Sequence, residues 1–280
     1  MASLTWSTYL APPKPVVAER LAPGETAELW SPTSATLIQG ERDAVLVDAL
    51  LTMSEGRALA DWVAAAGRNL TTIYITHGHG DHFFGAAAVL ARFPSARMVA
   101  VPAVLDKMRT QVDGQVLDGL WRKRFPGQIV ERPPIADPLA GHTIELEGAD
   151  LIAVELGHTD TDGTTALHVP SIGLVVAGDS VYNDVHLHLA ESGGGGIGAW
   201  LAALDTIDAL RPSTVIAGHK REGAADSPDH IRHTRDYLRY FDEAQQRVGS
   251  ARELYDVMIE HYPDRFNRAV VWRAAQAVKN

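Results

Sequence analysis

Histidine and aspartate follow the ends of short β-type runs at four places in this 280-residue chain. In three places one glycine separates the run from the polar residue, giving Gly157-His158, Gly178-Asp179 and Gly218-His219. In the fourth, the apolar run 70–75 leads directly into Thr76-His77-Gly78-His79-Gly80-Asp81-His82. Neighbouring strands end at a common edge of their sheet, where binding residues gather on loops. The repeated pattern therefore predicts a fold that brings these side chains together at one sheet edge.

The segment from His77 to His82 carries four side chains able to bind a metal within six residues. Given the chain's own content of His and Asp, chance would produce that arrangement in on the order of one sequence in a thousand. Imidazole and carboxylate without sulfur suit Zn²⁺, with Fe and Mn as alternatives. The chain has no cysteine, which excludes disulfides, thiolate zinc sites, iron–sulfur clusters and a cysteine nucleophile.

The remaining pattern is β-rich with interspersed helices as far as His219 and purely helical beyond it. Further strands are predicted at 35–38, 44–47, 97–101, 143–146 and 165–169, and helices at 54–66, 83–92 and 199–210. In the tail, Ser227-Pro228-Asp229 and a capping box that begins at Ser250 predict two helix starts.

Net charge and hydropathy restrict the kinds of partner that this chain can bind. The chain has 25 Lys+Arg against 35 Asp+Glu, a formal net charge of −10, which argues against nucleic acid and against an anionic membrane surface. Its apolar runs are far shorter than the ~20 residues that cross a bilayer, and its first residues lack the basic and apolar pattern of a secretory leader. We therefore expect a cytoplasmic protein without a membrane partner.

Taken with Asp48 at the end of Val45-Leu46-Val47-Asp48, these motifs resemble in order the pattern of the metallo-β-lactamase-fold hydrolase superfamily over roughly residues 37–219. The resemblance implies an α/β (α+β) fold, a four-layer αββα sandwich with a helical C-terminal extension. It places the catalytic domain in residues 1–220 and the extension, packed on the same domain, in 221–280.

The resemblance also implies a site for two metal ions. The first ion would be held by His77, His79 and His158, the second by Asp81, His82 and His219, with Asp179 bridging both. Asp48 would orient ligands without binding metal itself.

Within the superfamily, the site is similar to that of glyoxalase II, acyl-homoserine lactonases and related esterases. His79 is typical of the hydrolase branch, whereas the diiron flavoproteins usually place Glu there. Asp179 and the absence of cysteine argue against a dedicated β-lactamase.

The function implied is a hydrolase with two Zn²⁺ per chain, Fe or Mn being alternatives. A hydroxide that bridges the metals would attack an ester, lactone, thioester or β-lactam-type carbonyl of a small molecule. Asp81 would bind the second metal and also orient the hydroxide. Two alternatives remain open: a mononuclear iron oxygenase like the persulfide dioxygenases of this fold, and, less favoured by the charge, a nuclease.

Three residues are candidates for contact with substrate: Tyr182, His188 and Lys220. For each of them, and for His186, packing or solvation is the alternative interpretation, and the pattern favours it over a contact with substrate. The run Gly193–Gly196 is a candidate lid hinge. The helical tail has three open roles: covering the cleft, shaping substrate access, or forming a homodimer.

Overall fold

The computed structural model describes residues 4–279, and its main feature is one long mixed sheet. The strands are β1 (Thr5–Ala11), β2 (Lys14–Val16), β3 (Glu28–Trp30), β4 (Thr33–Gln39), β5 (Asp43–Val47), β6 (Asn69–Tyr74), β7 (Arg97–Ala100), β8 (Asp137–Pro138), β9 (Thr143–Leu146), β10 (Ala149–Gly157), β11 (Thr164–Val169), β12 (Leu174–Asn183) and β13 (Thr214–Lys220). The large sheet has the order β8-β7-β6-β5-β4-β13-β12-β11-β10-β9, with β1 also paired to β4. Strands β2 and β3 form a separate pair.

Helices connect and cover these strands. They are α1 (Met53–Ala65), α2 (Gly80–Phe83), α3 (Ala86–Arg92), α4 (Pro102–Val112), α5 (Gly114–Val116), α6 (Arg122–Arg124), α7 (Gly196–Ala209), α8 (Asp229–Arg247), α9 (Ala251–His261) and α10 (Arg268–Lys279). A π-helical turn, Leu117–Trp121, joins α5 to α6, and a 3₁₀ turn, Pro170–Ile172, precedes β12. Among residues 4–279, no helix has both the length and the apolar character needed to span a bilayer.

The sheet curls, so that β5 and β9 contact each other although they lie far apart in the strand order. Alternate residues of its strands face two separate hydrophobic cores. Val176 and Ile216 belong to the core that contains α1, α3 and α4, whereas Val175 and Val215 belong to the core that contains α7 to α10. This curled sheet flanked by helices confirms the predicted α/β sandwich.

Two parallel pairs place the ends of four strands at one edge. Strand β5 is parallel to β6, and β12 is parallel to β13. Strand β12 also carries a bulge, because its pairing with β13 passes from Gly178↔Ala217 to Tyr182↔His219. A bulge redirects the side chains within it, and Asp179 is one of these residues.

Most predicted elements match the observed ones to within a few residues. The predicted helix 83–92 is divided between α2 and α3, and the short β-type run before Gly178-Asp179, for which the sequence also predicts a strand at 173–177, continues to Asn183 as β12. Helices α4 to α6 were not predicted. In the tail, α8 packs on α7 and β12, and α9 contacts both α8 and α10.

Candidate metal centre

Buried imidazoles and carboxylates gather at the sheet edge where β5, β6, β12 and β13 end. His77 follows β6, and α2 carries Asp81 and His82 in a single turn. The backbone N–H of Ala49, just past β5, donates to the carbonyl of His82 over 2.7 Å, which ties α2 to the sheet. Strands β12 and β13 contribute Asp179 and His219.

Asp179 lies between two histidines and uses a different oxygen toward each. His82 Nε2 lies 3.2 Å from Asp179 Oδ1, and His219 Nε2 lies 3.2 Å from Asp179 Oδ2. Asp81 Oδ2 is 3.4 Å from His219 Nε2 and 3.8 Å from His82 Nε2. One candidate group of metal-binding atoms is formed by Asp81, His82 and His219.

A second group forms around Asp160. Its Oδ2 atom lies 2.8 Å from His79 Nδ1 and 3.6 Å from His77 Nε2. The Thr159 hydroxyl donates to the other oxygen of Asp160, which is fully buried, so that Oδ2 remains directed at the two histidines. His77 also forms a group with His82 and Asp179, which connects the two clusters.

The second ring nitrogen of each clustered histidine is held by a neighbour. His82 Nδ1 lies 3.0 Å from Asp48 Oδ2, and His219 Nδ1 lies 3.0 Å from the Pro32 carbonyl. The remaining two contacts are His77 Nδ1 with Thr76 Oγ1 at 3.1 Å and His79 Nε2 with Glu191 Oε1 at 3.2 Å. Metal-binding histidines characteristically use one nitrogen in this way, which fixes the direction of the other.

The inward-facing atoms fit a bound cation. His77 Nε2, His82 Nε2, Asp160 Oδ2 and Asp179 Oδ1 are buried and make no hydrogen bond of acceptable geometry with residues 4–279. Buried polar atoms are normally satisfied, so four unsatisfied atoms in one cluster indicate a missing partner. Nitrogen and carboxylate oxygen without sulfur are a donor set that Zn²⁺ accepts.

The charges of the cluster are strongly coupled. Burial alone would lower the pKa of His219, but Asp179 and Asp81 raise it to about 9. Burial also opposes protonation of His79, whose pKa is raised to about 10 by Asp160 and Glu191. Burial would raise the pKa of Asp179, yet His219 and His82 lower it well below its usual value. Ionised carboxylates thus hold protons on His79 and His219, and a divalent cation would displace those protons.

His158 lies elsewhere, contrary to the predicted ligand set. Its Nδ1 contacts the exposed Asp162 at 2.6 Å, its Nε2 lies 3.4 Å from Ser192 Oγ, and its ring packs against Gly196. The reason is local: β10 changes register between Glu155 and Gly157, and Gly157 has a φ of 74°. The chain turns there, so that Asp160 reaches the site in place of His158.

The other predicted residues divide between the site and its surroundings. Asp48 accepts hydrogen bonds from the backbone N–H and hydroxyl of Thr76, at 2.9 and 2.8 Å, besides contacting His82. The Tyr182 hydroxyl donates to Asp179 Oδ2 at 2.8 Å. His188 lies in a group with His79 and Glu191. Lys220 is buried and paired with Asp226 at 2.5 Å, away from the cavity lining, so the predicted contact with substrate does not fit its position.

A cavity of about 180 Å³ opens onto the cluster. Its wall is partly apolar, with Trp30, Trp121 and Val270, and it also contains His186 and His188. The Trp30 indole donates to Asp81 Oδ2 at 3.0 Å. Trp30 and Val270 were not predicted to be functional, because a lone tryptophan or a helical valine has no sequence signal that separates a cavity wall from a core.

The family comparison agrees with this geometry. The model of the "Metallo-beta-lactamase superfamily" matches residues 29–219, about two-thirds of the chain. The chain belongs to that superfamily. The match begins at Leu29, ends at His219 and includes every residue of the cluster. Tail helices α8 to α10 lie outside it.

Solved structures of the superfamily share the fold. A metallo-beta-lactamase family protein from Thermus thermophilus is 21% identical with a TM-score of 0.66, over 97% of this chain and 91% of that one. A metallo-beta-lactamase from Pontibacter korlensis is 15% identical with a TM-score of 0.59, over 85% of this chain and 99% of that one. At sequence identities this low, the similarity to these structures shows a shared fold.

Two curated relatives carry the name hydroxyacylglutathione hydrolase. The protein of Synechococcus sp. (strain JA-2-3B'a(2-13)) is 33% identical over 122 residues, 43% of this chain and 38% of its own length. That of Synechococcus sp. (strain JA-3-3Ab) is 33% identical over 124 residues, 44% of this chain and 39% of its own. The chain thus matches about two-fifths of the length of these relatives.

Proposed function

We propose that this chain is a dinuclear zinc-dependent hydrolase that cleaves an ester, lactone, thioester or β-lactam-type bond of a small molecule. The observation that carries the proposal is the position of Asp179, whose two oxygens face His82 and His219 between two groups of buried ligand-type atoms. The likeness to hydroxyacylglutathione hydrolases supports a thioester or a related carbonyl compound as substrate.

The proposed ligands differ from the predicted set at one position. His77, His79 and Asp160 would hold the first ion, and Asp81, His82 and His219 the second, with Asp179 shared. Bound zinc would supply a water-derived nucleophile near neutral pH and a Lewis acid for the developing oxyanion. With three carboxylates for two divalent ions, the site would balance most of the metal charge.

The protein's own groups would position the reaction. The Trp30 indole holds one oxygen of Asp81, and this contact would orient the carboxylate to accept a hydrogen bond from the attacking water. The Tyr182 hydroxyl donates to Asp179 Oδ2 and so would hold the carboxylate that the two ions share. The contact of Trp30 is partly buried and that of Tyr182 is buried, so solvent competes little with either.

The oxygenase alternative would leave the second group of residues without a metal. Asp81, His82 and His219 are instead buried together with converging ligand atoms, an arrangement that favours two ions. We therefore propose the hydrolase alone.

Elemental analysis of purified protein, combined with a panel of lactones, thioesters, aryl esters and a chromogenic cephalosporin, tests the proposal. We expect two zinc ions per chain and hydrolysis of at least one carbonyl class. Asp179→Asn should lower both metal content and hydrolysis, the latter by at least about 100-fold. The exposed Asp106→Asn variant serves as control and should retain both. One iron per chain, or full activity of Asp179→Asn, would contradict the proposal.

A further inference from the structure

Two arginines of the cavity wall share a single carboxylate. Arg124 Nη2 donates to Glu28 Oε1 at 2.6 Å, and Arg273 Nη1 donates to the same oxygen at 2.7 Å. Glu28 is buried; it lines a neighbouring groove together with both arginines, and of the three only the arginines also line the metal cavity. The metal cavity therefore has two guanidinium groups in its wall, whereas the carboxylate that they share lies outside that wall.

This cluster carries one positive charge in excess of its carboxylate. The side chains of Arg124 and Arg273 are only 15% and 27% exposed. The other acidic residues of the cavity wall are engaged elsewhere: Asp81 and Asp179 belong to the metal-type cluster, and Glu191 pairs with Lys107 at 2.6 Å. A largely buried positive charge in excess of its carboxylate costs free energy, so the wall is suited to an anion from the solvent or from a ligand.

The two guanidinium groups also have N–H donors that Glu28 does not use. Each guanidinium offers five N–H donors in a planar fork that matches a carboxylate. In each arginine, one nitrogen is engaged with Glu28. Arg124 is further fixed by the Trp30 ring, with its guanidinium carbon 5.3 Å from the ring centroid.

Trp30 sets the distance between this anion site and the metal-type cluster. Its indole nitrogen contacts Asp81, while the face of its ring lies under Arg124. One indole therefore separates the two polar ends of the cavity, with Trp121 and Val270 adding apolar wall. A compact molecule that reached both ends would have an anion a few bonds from its reacting carbonyl.

We propose that the cavity selects small carbonyl compounds bearing a carboxylate, which Arg273 and Arg124 bind while the carbonyl lies at the metal centre. This selection rests on the proposed hydrolase function. It assigns substrate recognition to α10, which lies outside the part of the chain matched by the superfamily model.

A matched pair of esters tests this selection: mono-4-nitrophenyl glutarate and its neutral isostere, 4-nitrophenyl 5-methylhexanoate. Hydrolysis of either consumes one water, breaks the acyl C–O bond and releases the acid and 4-nitrophenol. For the zinc-loaded protein we expect kcat/KM to favour the anionic ester. In Arg273→Gln this preference should fall about tenfold or more, as expected for a lost charge-assisted hydrogen bond. Glu28 keeps Arg124 as partner in that variant.

Arg268→Gln is the matched control. Arg268 lies on the same helix, is 40% exposed and pairs with Glu25 at 3.6 Å, outside the cavity wall. This variant should retain the preference, and equal preference in all three proteins would overturn the proposal.

Calorimetric titration of glutarate separates the selection from the hydrolase activity. Loss of glutarate binding in Arg273→Gln but not in Arg268→Gln would support the anion site even if neither ester were cleaved, in which case only the hydrolase proposal would fail. Absence of glutarate binding to the wild-type protein, or equal binding to all three proteins, would overturn the anion site.

Discussion

Asp160 and His158 lie two positions apart in one loop, and their side chains point to different surroundings. Asp160 is buried against His77 and His79, whereas His158 faces Asp162 and Ser192. Both are ligand-type residues after the same strand, so the sequence pattern alone does not choose between them. The choice depends on the register change in β10, which is a property of strand pairing.

Replacing each residue separately tests which of them holds metal. Asp160→Asn keeps the size of the side chain but removes its charge, and we expect the zinc content to fall from two ions per chain to about one. His158→Ala should keep two ions, because the ring nitrogens of His158 face Asp162 and Ser192 and belong to neither candidate group. Metal analysis after dialysis against a weak chelator measures both. Loss of an ion in His158→Ala alone would restore the predicted ligand set.

The buried His186 makes stability depend on pH. Burial, with Arg265 and Arg268 nearby, lowers its pKa to about 3. As pH falls below the ordinary value near 6.5, the unfolded chain binds a proton at this residue and the folded chain does not. His186 therefore lowers the free energy of unfolding progressively as the pH falls from about 6.5 to about 3.

Comparison of urea unfolding at pH 7.5 and pH 5.0 measures this contribution. Metal-free wild type should lose about 2 kcal/mol more over this interval than metal-free His186→Gln. Glutamine retains a polar contact for the Tyr237 hydroxyl, which lies 2.9 Å from His186 Nδ1. Equal losses in the two proteins would show that His186 takes up its proton normally in the folded state.

At the level of elements, the division of the predicted helix 83–92 has a tertiary cause. Gly85 lies where α1 passes closely: a Cβ on Gly56 would be 2.4 Å from the Gly85 carbonyl oxygen. The backbone N–H of Gly85 donates to Leu50 across the gap at 2.9 Å. Periodicity predicts helical segments from their own residues, and it contains no information on such an approach by another helix.

Two glycine-to-alanine variants separate this packing from helix propensity. Gly56→Ala should lower the free energy of unfolding by about 1–3 kcal/mol, because the new methyl group meets backbone atoms. Gly198→Ala, in α7 with nothing within 4 Å of its Cβ position, should raise it by about 0.5–1 kcal/mol. Chemical unfolding measures both, and a stabilised Gly56→Ala would contradict the close approach.

The difference between local sequence pattern and contacts between distant residues explains which features the sequence predicted. The strands next to the ligands, the capping box at Ser250 and most cluster residues follow from local pattern. The bulge that directs Asp179, the cavity wall around Trp30 and the segment from α4 to α6 depend on contacts between distant parts of the chain. Those contacts are not encoded in any short window.

For the whole molecule, the tail is part of the cavity. Helix α10 and the residue before it contribute Asn267, Val270 and Arg273 to the wall. Of the three roles left open for the tail, shaping substrate access is the one that this geometry supports.

Zinc should also stabilise the entire fold. The proposed ligands come from the loop after β6, from α2, β12 and β13, and from the loop after β10. An ion that binds only the folded state adds about 4 kcal/mol at a free concentration of 1,000 Kd. We expect chelation to lower Tm in wild type and His158→Ala alike, and to have a smaller effect in Asp179→Asn. Calorimetry in buffered zinc measures the shift, and an unchanged wild-type Tm would contradict metal binding at this site.

The shared carboxylate of Asp179 has a consequence for how the chain is held together. His77 and His82 come from one half of the curled sheet, and Asp179 and His219 come from the other. Ions held among these residues would cross-link the two halves of the sheet, as disulfides cross-link secreted domains. A chain without a single sulfhydryl group could thus cross-link itself reversibly, and its rigidity would follow the supply of metal.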